Sequence, residues 1–167
     1  MERVALFSKI TYEEYEAALS NIRTFDKERI RKIYESIQKP IRATSGSGGY
    51  DFFLPYDISI KPGDTVTIPT GIHVKVSDGW TLDIYPRSSL GFKYNLMLAN
   101  TVGIIDSDYF YAKNEGHIFV KIVNYGSKTV DLKAGERFVQ GKFVPYGITF
   151  DDDVSEKRVG GMGSTGK

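Results

Sequence analysis

The chain has 167 residues, a formal net charge of +1 at pH 7 and no cysteine. That length carries one domain with a sizeable core. The near-neutral balance excludes bulk electrostatic binding to nucleic acid or to an anionic membrane. The absence of thiols excludes a disulfide scaffold, thiolate metal sites and a cysteine nucleophile. Hydrophobic residues make up 41% and charged residues 26%, the proportions of a soluble globular protein. The segment from Met1 to Glu16 has no long apolar run and carries acids early, so no signal peptide is expected there. No stretch reaches the length of a transmembrane helix, and the expected location is cytoplasmic.

Arg3 to Phe7 reads as a short first strand. Thr11-Tyr12-Glu13-Glu14 is a capping box, T-x-x-E, that opens a helical stretch with Tyr15, Ala18, Leu19 and Ile22 on one face. A second helical stretch runs from about Asp26 to Gln38, with Ile30, Ile33, Tyr34 and Ile37 at helical spacing and Pro40 just beyond. Together they form a helical hairpin over about 11–39. It is read as a surface-packed insertion, with a lid or a docking site for a regulatory protein partner as the alternatives. After Pro40 the pattern becomes β. Strands are expected at Tyr50 to Leu54, Asp64 to Ile68, Gly71 to Val76, Trp80 to Tyr85, His117 to Tyr125, Lys128 to Leu132 and Glu136 to Pro145. Turn signals such as Pro62-Gly63, Asp78-Gly79 and Ala134-Gly135 separate them. Many short strands at regular spacing indicate a mainly β fold, a sandwich or barrel. One domain over 1–150 and a C-terminal arm over 151–167 are expected, because the acidic run Asp151 to Asp153 and the glycine-rich end have no periodicity.

Three loops interrupt the β pattern with unusual composition. Ala43 to Asp51 is glycine- and serine-rich, which suits close backbone approach to a ligand or simply a loop. Pro86-Arg87-Ser88-Ser89-Leu90-Gly91 sets an arginine fork beside two hydroxyls, suited to a phosphate or carboxylate or to a solvated turn. In Asn100 to Tyr109, Gly103 interrupts an apolar run and Asp106 follows it. A carboxylate emerging from an apolar strand suits a general base, and the plain alternative is a turn aspartate capping its own backbone. The two histidines, His73 and His117, stand alone in strand patterns and are read as structural or exposed. Gly161 to Lys167 matches the G-x-x-x-x-G-K of a P-loop. A P-loop needs a strand before the lysine and a helix after it, and Lys167 is the last residue of the sequence. The match is read as a coincidence of glycine-rich composition.

These loops, one later segment and the tail occur in an order that resembles the trimeric dUTPases (deoxyuridine triphosphate nucleotidohydrolases), especially the forms of Gram-positive bacteria and their phages. The resemblance runs from Lys39 to the end. It rests on Thr44 to Asp51, Pro86 to Leu90, Asn100 to Tyr109, Gly135 to Gln140, and Arg158 to Gly166. It implies a jelly-roll-like β fold and a homotrimer whose sites draw on all three subunits. The implied reaction is dUTP and water giving dUMP and pyrophosphate with Mg²⁺, and the C-terminal arm is implied to close a neighbour's site. By position, Asp106 is the base that deprotonates the attacking water, and Tyr109 lies against the deoxyribose. Asn100 and the backbone around Gly103 read the uracil. Arg87, Ser88, Ser89 and Gln140 contact the phosphate region, with Arg158, Met162, Gly163, Ser164 and Thr165 closing over base and γ-phosphate. No direct protein ligand to the metal is expected, since Mg²⁺ is held by triphosphate and water. Asp51 is a candidate for an outer-shell contact.

Departures from the family pattern are Gly48 for alanine, Ser89 for glycine and Met162 for phenylalanine. Lys157 stands where the last motif often has its arginine, and the segment Phe110 to Gly116 is longer than in many members, so Phe110 or Tyr111 is a candidate to reach the base. The alternatives are a dCTP deaminase on the same fold, and a binding module, since some phage members of the family also bind a repressor protein.

Overall fold

A computed structural model describes residues 1–156 and 160. The first strand, β1 (Ala5–Lys9), is followed by the helical pair α1 (Tyr12–Ser20) and α2 (Lys27–Ser36). Then come β2 (Tyr50–Phe53), β3 (Ile58–Ile60), β4 (Thr65–Pro69), β5 (Ile72–Val76) and β6 (Trp80–Pro86), a short helix α3 (Ser88–Tyr94), β7 (Leu96–Leu98) and β8 (Gly103–Ile105). A 3-10 turn, Ser107–Tyr111, precedes β9 (Phe119–Asn124), β10 (Val130–Leu132) and β11 (Arg137–Pro145). All pairings are antiparallel, in sheets ordered β1-β5, β10-β3, β2-β11-β6-β8 and β4-β9-β7. The mainly β reading is correct, and every strand expected from the alternation is present with ends shifted by a residue or two. The short elements β3, β7, β8, α3 and the 3-10 turn are additions.

The alternation on β6 explains the core. Leu82 and Ile84 are buried while Asp83 and Tyr85 face the other way, half-exposed. Phe52, Ile68, Ile72, Val74, Leu98, Ile122 and Phe138 fill the same interior. Gly141 on β11 is needed there, because a Cβ would stand 2.7 Å from Leu82 Cδ1 and 3.1 Å from Phe52 Cε2.

Both helix starts are capped as the sequence requires. Thr11 Oγ1 accepts from the Glu14 backbone N–H (3.3 Å), and an Asp26 oxygen accepts from that of Arg29 (2.8 Å). Tyr15, Leu19, Ile30, Ile33 and Ile37 insert the hairpin's apolar face into the core. Gly71, at φ +72°, makes room for it, since a Cβ there would collide with Ile37 Cδ1. At the other end, from Tyr146 through Glu156, the chain has no strand or helix and is exposed throughout, with Ile148 and Phe150 among its exposed apolar side chains. No helix among the described residues is long and apolar enough to cross a membrane.

Candidate active site

Two clusters of the expected residues lie on one sheet, β2-β11-β6-β8. The first is built around Asp51, which is 6% exposed. Its Oδ1 meets Arg87 Nε at 3.0 Å and its Oδ2 meets Arg137 at 3.2 Å. Gln140 lies directly across from Asp51 on one side and from Tyr85 on the other, so all three side chains leave the sheet on the same face. Gly49 completes the cluster, since a Cβ there would stand 2.8 Å from Gln140 Oε1. Ser88 and Ser89 open α3 next to Arg87, Ser88 exposed and Ser89 half-buried. The arrangement is a carboxylate holding two guanidinium groups beside an amide and two hydroxyls, a constellation suited to phosphate oxygens. Both Asp51 oxygens are thus engaged by arginines. Sequence reasoning put Asp51 near a metal and left out Arg137, whose residue lies 86 positions away and whose role appears only in the strand register.

The second cluster is the β7–β8 connection. These consecutive strands do not pair with each other. β7 pairs with β9 and ends one sheet, while β8 pairs with β6 and ends another. The hairpin is therefore splayed, and the facing backbone edges of two terminal strands are left beside a pocket. The pocket has a volume of ≈ 410 Å³, and its walls include Ile84, Leu98, Asn100, Gly103, Ile105 and Phe119. That size accepts a small organic ligand. Thr101 takes φ +63° to close the turn, with its N–H donating to Leu98 O (3.2 Å). At Gly103 an added Cβ would lie 3.4 Å from Ile84 Cβ and 3.8 Å from Asn100 Nδ2. The pocket therefore lies on the side of Ile84, opposite the face of Gln140 and Tyr85.

Asp106 follows Ile105 at the end of β8. It is half-buried, with extended backbone (φ −73°, ψ 157°), and its side chain makes no capping hydrogen bond to the 3-10 turn that it precedes. Tyr109 is 4% exposed. Its hydroxyl donates to His117 O (2.9 Å) and accepts from Asn114 Nδ2 (2.9 Å). His117 is fully buried, and burial, with the nearby His73, pulls its pKa down to about 3. It is neutral, so its 3.5 Å approach to Glu14 is no ion pair. Phe110 packs on His73 at 4.6 Å between ring centroids, while Tyr111 is exposed. Arg158, Met162, Gly163, Ser164 and Thr165, like Lys157, lie outside the described residues. Among the described residues no group of three or more His, Asp or Glu is arranged to hold a metal ion.

A family model described as dUTPase matches residues 35–166. The chain belongs to the dUTPase family. A deoxyuridine 5'-triphosphate nucleotidohydrolase of Lactococcus lactis subsp. lactis is 42% identical over 133 residues, 78% of this chain and 89% of that protein. The crystal structure of a dUTPase from Streptococcus mutans superposes with a TM-score of 0.66 at 35% identity, covering 86% of this chain and 97% of the other. A dUTPase of phage phi11 of S. aureus, in a variant described with a structural Mg(II) ion, shares the fold at 17% identity and a TM-score of 0.63, over 92% of this chain and 98% of its own.

Proposed function

We propose that this chain hydrolyses dUTP to dUMP and pyrophosphate by attack of water on the α-phosphorus, with Asp106 as general base. The observation that carries the reading is the splayed β7–β8 connection. It offers two fixed backbone edges to a planar base in an apolar pocket and leads, after only three strand residues, straight into the Asp106 carboxylate. Backbone donors and acceptors around Gly103, with Asn100, read the uracil edge, and Ile84 on the neighbouring strand lines the same pocket. Tyr109 packs against the deoxyribose. Asp106 orients the water and takes its proton, the main task that phosphoryl transfer leaves to a protein side chain.

Arg87, Arg137, Ser88, Ser89 and Gln140 bind and orient the phosphates, and Asp51 holds both arginines in place. Mg²⁺ fits this donor set as an ion carried by the triphosphate and water, because the phosphate-facing residues are cations, hydroxyls and an amide. When bound it neutralises developing charge on the phosphate oxygens.

The site is shared between copies, in a homotrimer. The pocket and the Asp51 cluster lie on opposite faces of one sheet, and exposed apolar residues at Phe92, Ile104, Ile148 and Phe150 offer contact surface for neighbouring copies. The arm beyond residue 150, with Arg158, Met162, Gly163, Ser164 and Thr165, closes over the nucleotide of a neighbour. Pyrophosphate release measured across dUTP, dCTP, dTTP and UTP with Mg²⁺ tests the reading. Release from dUTP far above the other three supports it, and ammonia release from dCTP contradicts it.

A further inference from the structure

The turn after Tyr109 holds two consecutive residues in the left-handed region, Glu115 (φ +56°) and Gly116 (φ +68°). Gly116 has a local reason. A Cβ there would stand 2.7 Å from both Phe110 Cα and the Tyr109 carbonyl oxygen, so the turn lies flat on the backbone that carries Tyr109. Glu115 has no such excuse, and a non-glycine residue in this region costs on the order of 1 kcal/mol. Its carboxylate offsets that cost at a distance. One oxygen accepts from the Thr11 backbone N–H (2.8 Å) and the other from the Thr11 hydroxyl (2.6 Å).

Glu115 therefore takes the place that Glu14 would fill in the capping box of α1. The same turn is pinned at two more points. His73 Nδ1 meets the Glu115 carbonyl oxygen at 2.7 Å, and His117 Nε2 accepts from the Gly71 N–H at 2.9 Å. His117 then presents its own carbonyl to the Tyr109 hydroxyl. A continuous set of short contacts thus links the head of the helical hairpin to the Tyr109 ring. Thr11 lies before residue 35, where the family model's match begins.

We propose that Glu115, anchored to Thr11, is a positioning residue that holds the Tyr109 ring rigid and so sets the discrimination between deoxyribonucleotide and ribonucleotide. The inference rests on the reading of Tyr109 as the ring against the sugar. A steric filter excludes one oxygen atom only if its wall cannot yield, and a wall is as rigid as the shell behind it.

The experiment is the ratio of kcat/KM for dUTP to kcat/KM for UTP in the full chain, with thermal melting of each variant. Tyr109→Leu alters the filter itself and should lower the ratio by about tenfold or more. Glu115→Gly removes the carboxylate yet adopts φ +56° freely, and should lower the ratio several-fold, through a gain on UTP, with dUTP turnover within a few-fold of the parent. Glu115→Gln keeps an acceptor for the Thr11 N–H and should retain the parent ratio. Tyr109→Phe, which keeps the ring but removes the hydroxyl's bonds to His117 and Asn114, should also lower the ratio through a gain on UTP. A ratio unchanged in Tyr109→Leu overturns the reading of Tyr109 and the inference with it. A ratio lowered in Tyr109→Leu but unchanged in Glu115→Gly and Tyr109→Phe overturns the inference alone. Equal loss on both substrates in Glu115→Gly, which is what a purely structural role gives, also overturns it.

Discussion

Asp106→Asn and Arg87→Ala chains, each close to inactive alone, should complement each other when co-expressed. The strand register supplies the reason. Gln140 pairs with Tyr85, and Leu82 with Ile105, so continuing the β6–β8 ladder brings Asp106 level with Thr81. Four residues at ~3.4 Å give about 14 Å along the strands, and two strand spacings of ~4.8 Å give about 10 Å across them. The separation between Asp106 and Gln140 in one chain is therefore roughly 17 Å, and Arg87, just past the end of β6, lies further still from the level of Asp106. No α-phosphate sits within hydrogen-bond reach of both groups of a single chain. If each site takes Asp106 from one copy and Arg87 from another, random mixing gives an intact site with probability one half times one half. Activity should then recover to about a quarter of the parent level in a symmetric oligomer. The assay is pyrophosphate release by co-purified, differently tagged chains. If both groups came from the same chain, no mixed site would contain an intact pair. Residual activity no higher than that of the separate variants would refute the shared-site argument.

Asp51→Asn should raise KM for dUTP by about tenfold and lower the melting temperature, because two guanidinium groups lose the carboxylate that orients them; unchanged steady-state kinetics would remove Asp51 from the phosphate site. Gly141→Ala should destabilise the fold by about 1–3 kcal/mol in denaturant titration, since its methyl meets Leu82 and Phe52 inside normal contact distance. His117 predicts a pH dependence of stability. Its pKa is about 3 in the fold against 6.5 for the free side chain, so between these values the unfolded chain binds the extra proton. That contribution is complete above pH 6.5 and declines on acidification by up to about 1.4 kcal/mol per pH unit. Glu14, whose pKa is raised by burial and by Glu115, acts in the opposite direction as it takes up its proton. His117→Gln, which keeps an acceptor for the Gly71 N–H, should flatten the melting profile over pH 4 to 6.5 relative to the parent.

The strands of β4, β5, β6, β9 and β11 were legible because each alternates or runs apolar for five residues or more between turn signals. The splayed β7–β8 connection was not, because two three-residue strands in different sheets leave no period to read. Helix α3 reads as a loop in the sequence, since it spans only about two turns around Gly91 and ends on Asn95 at φ +53°. The T-x-x-E capping box was right about Thr11 and wrong about its partner. Glu115, 104 residues away, takes the place of Glu14, and no local pattern reports a contact of that range. Residue by residue, the site came from the resemblance, while the geometry adds how it is held. Arg137 shares Asp51 with Arg87, and Tyr109 is buried with its hydroxyl bonded to His117 O and Asn114 Nδ2.

The most direct test of the account is single-turnover hydrolysis of dUTP by Asp106→Asn, with nucleotide affinity measured alongside. The account predicts that binding persists while the hydrolysis rate falls by about 10²- to 10⁴-fold, what a positioned base contributes. Hydrolysis within a few-fold of the parent rate would contradict it.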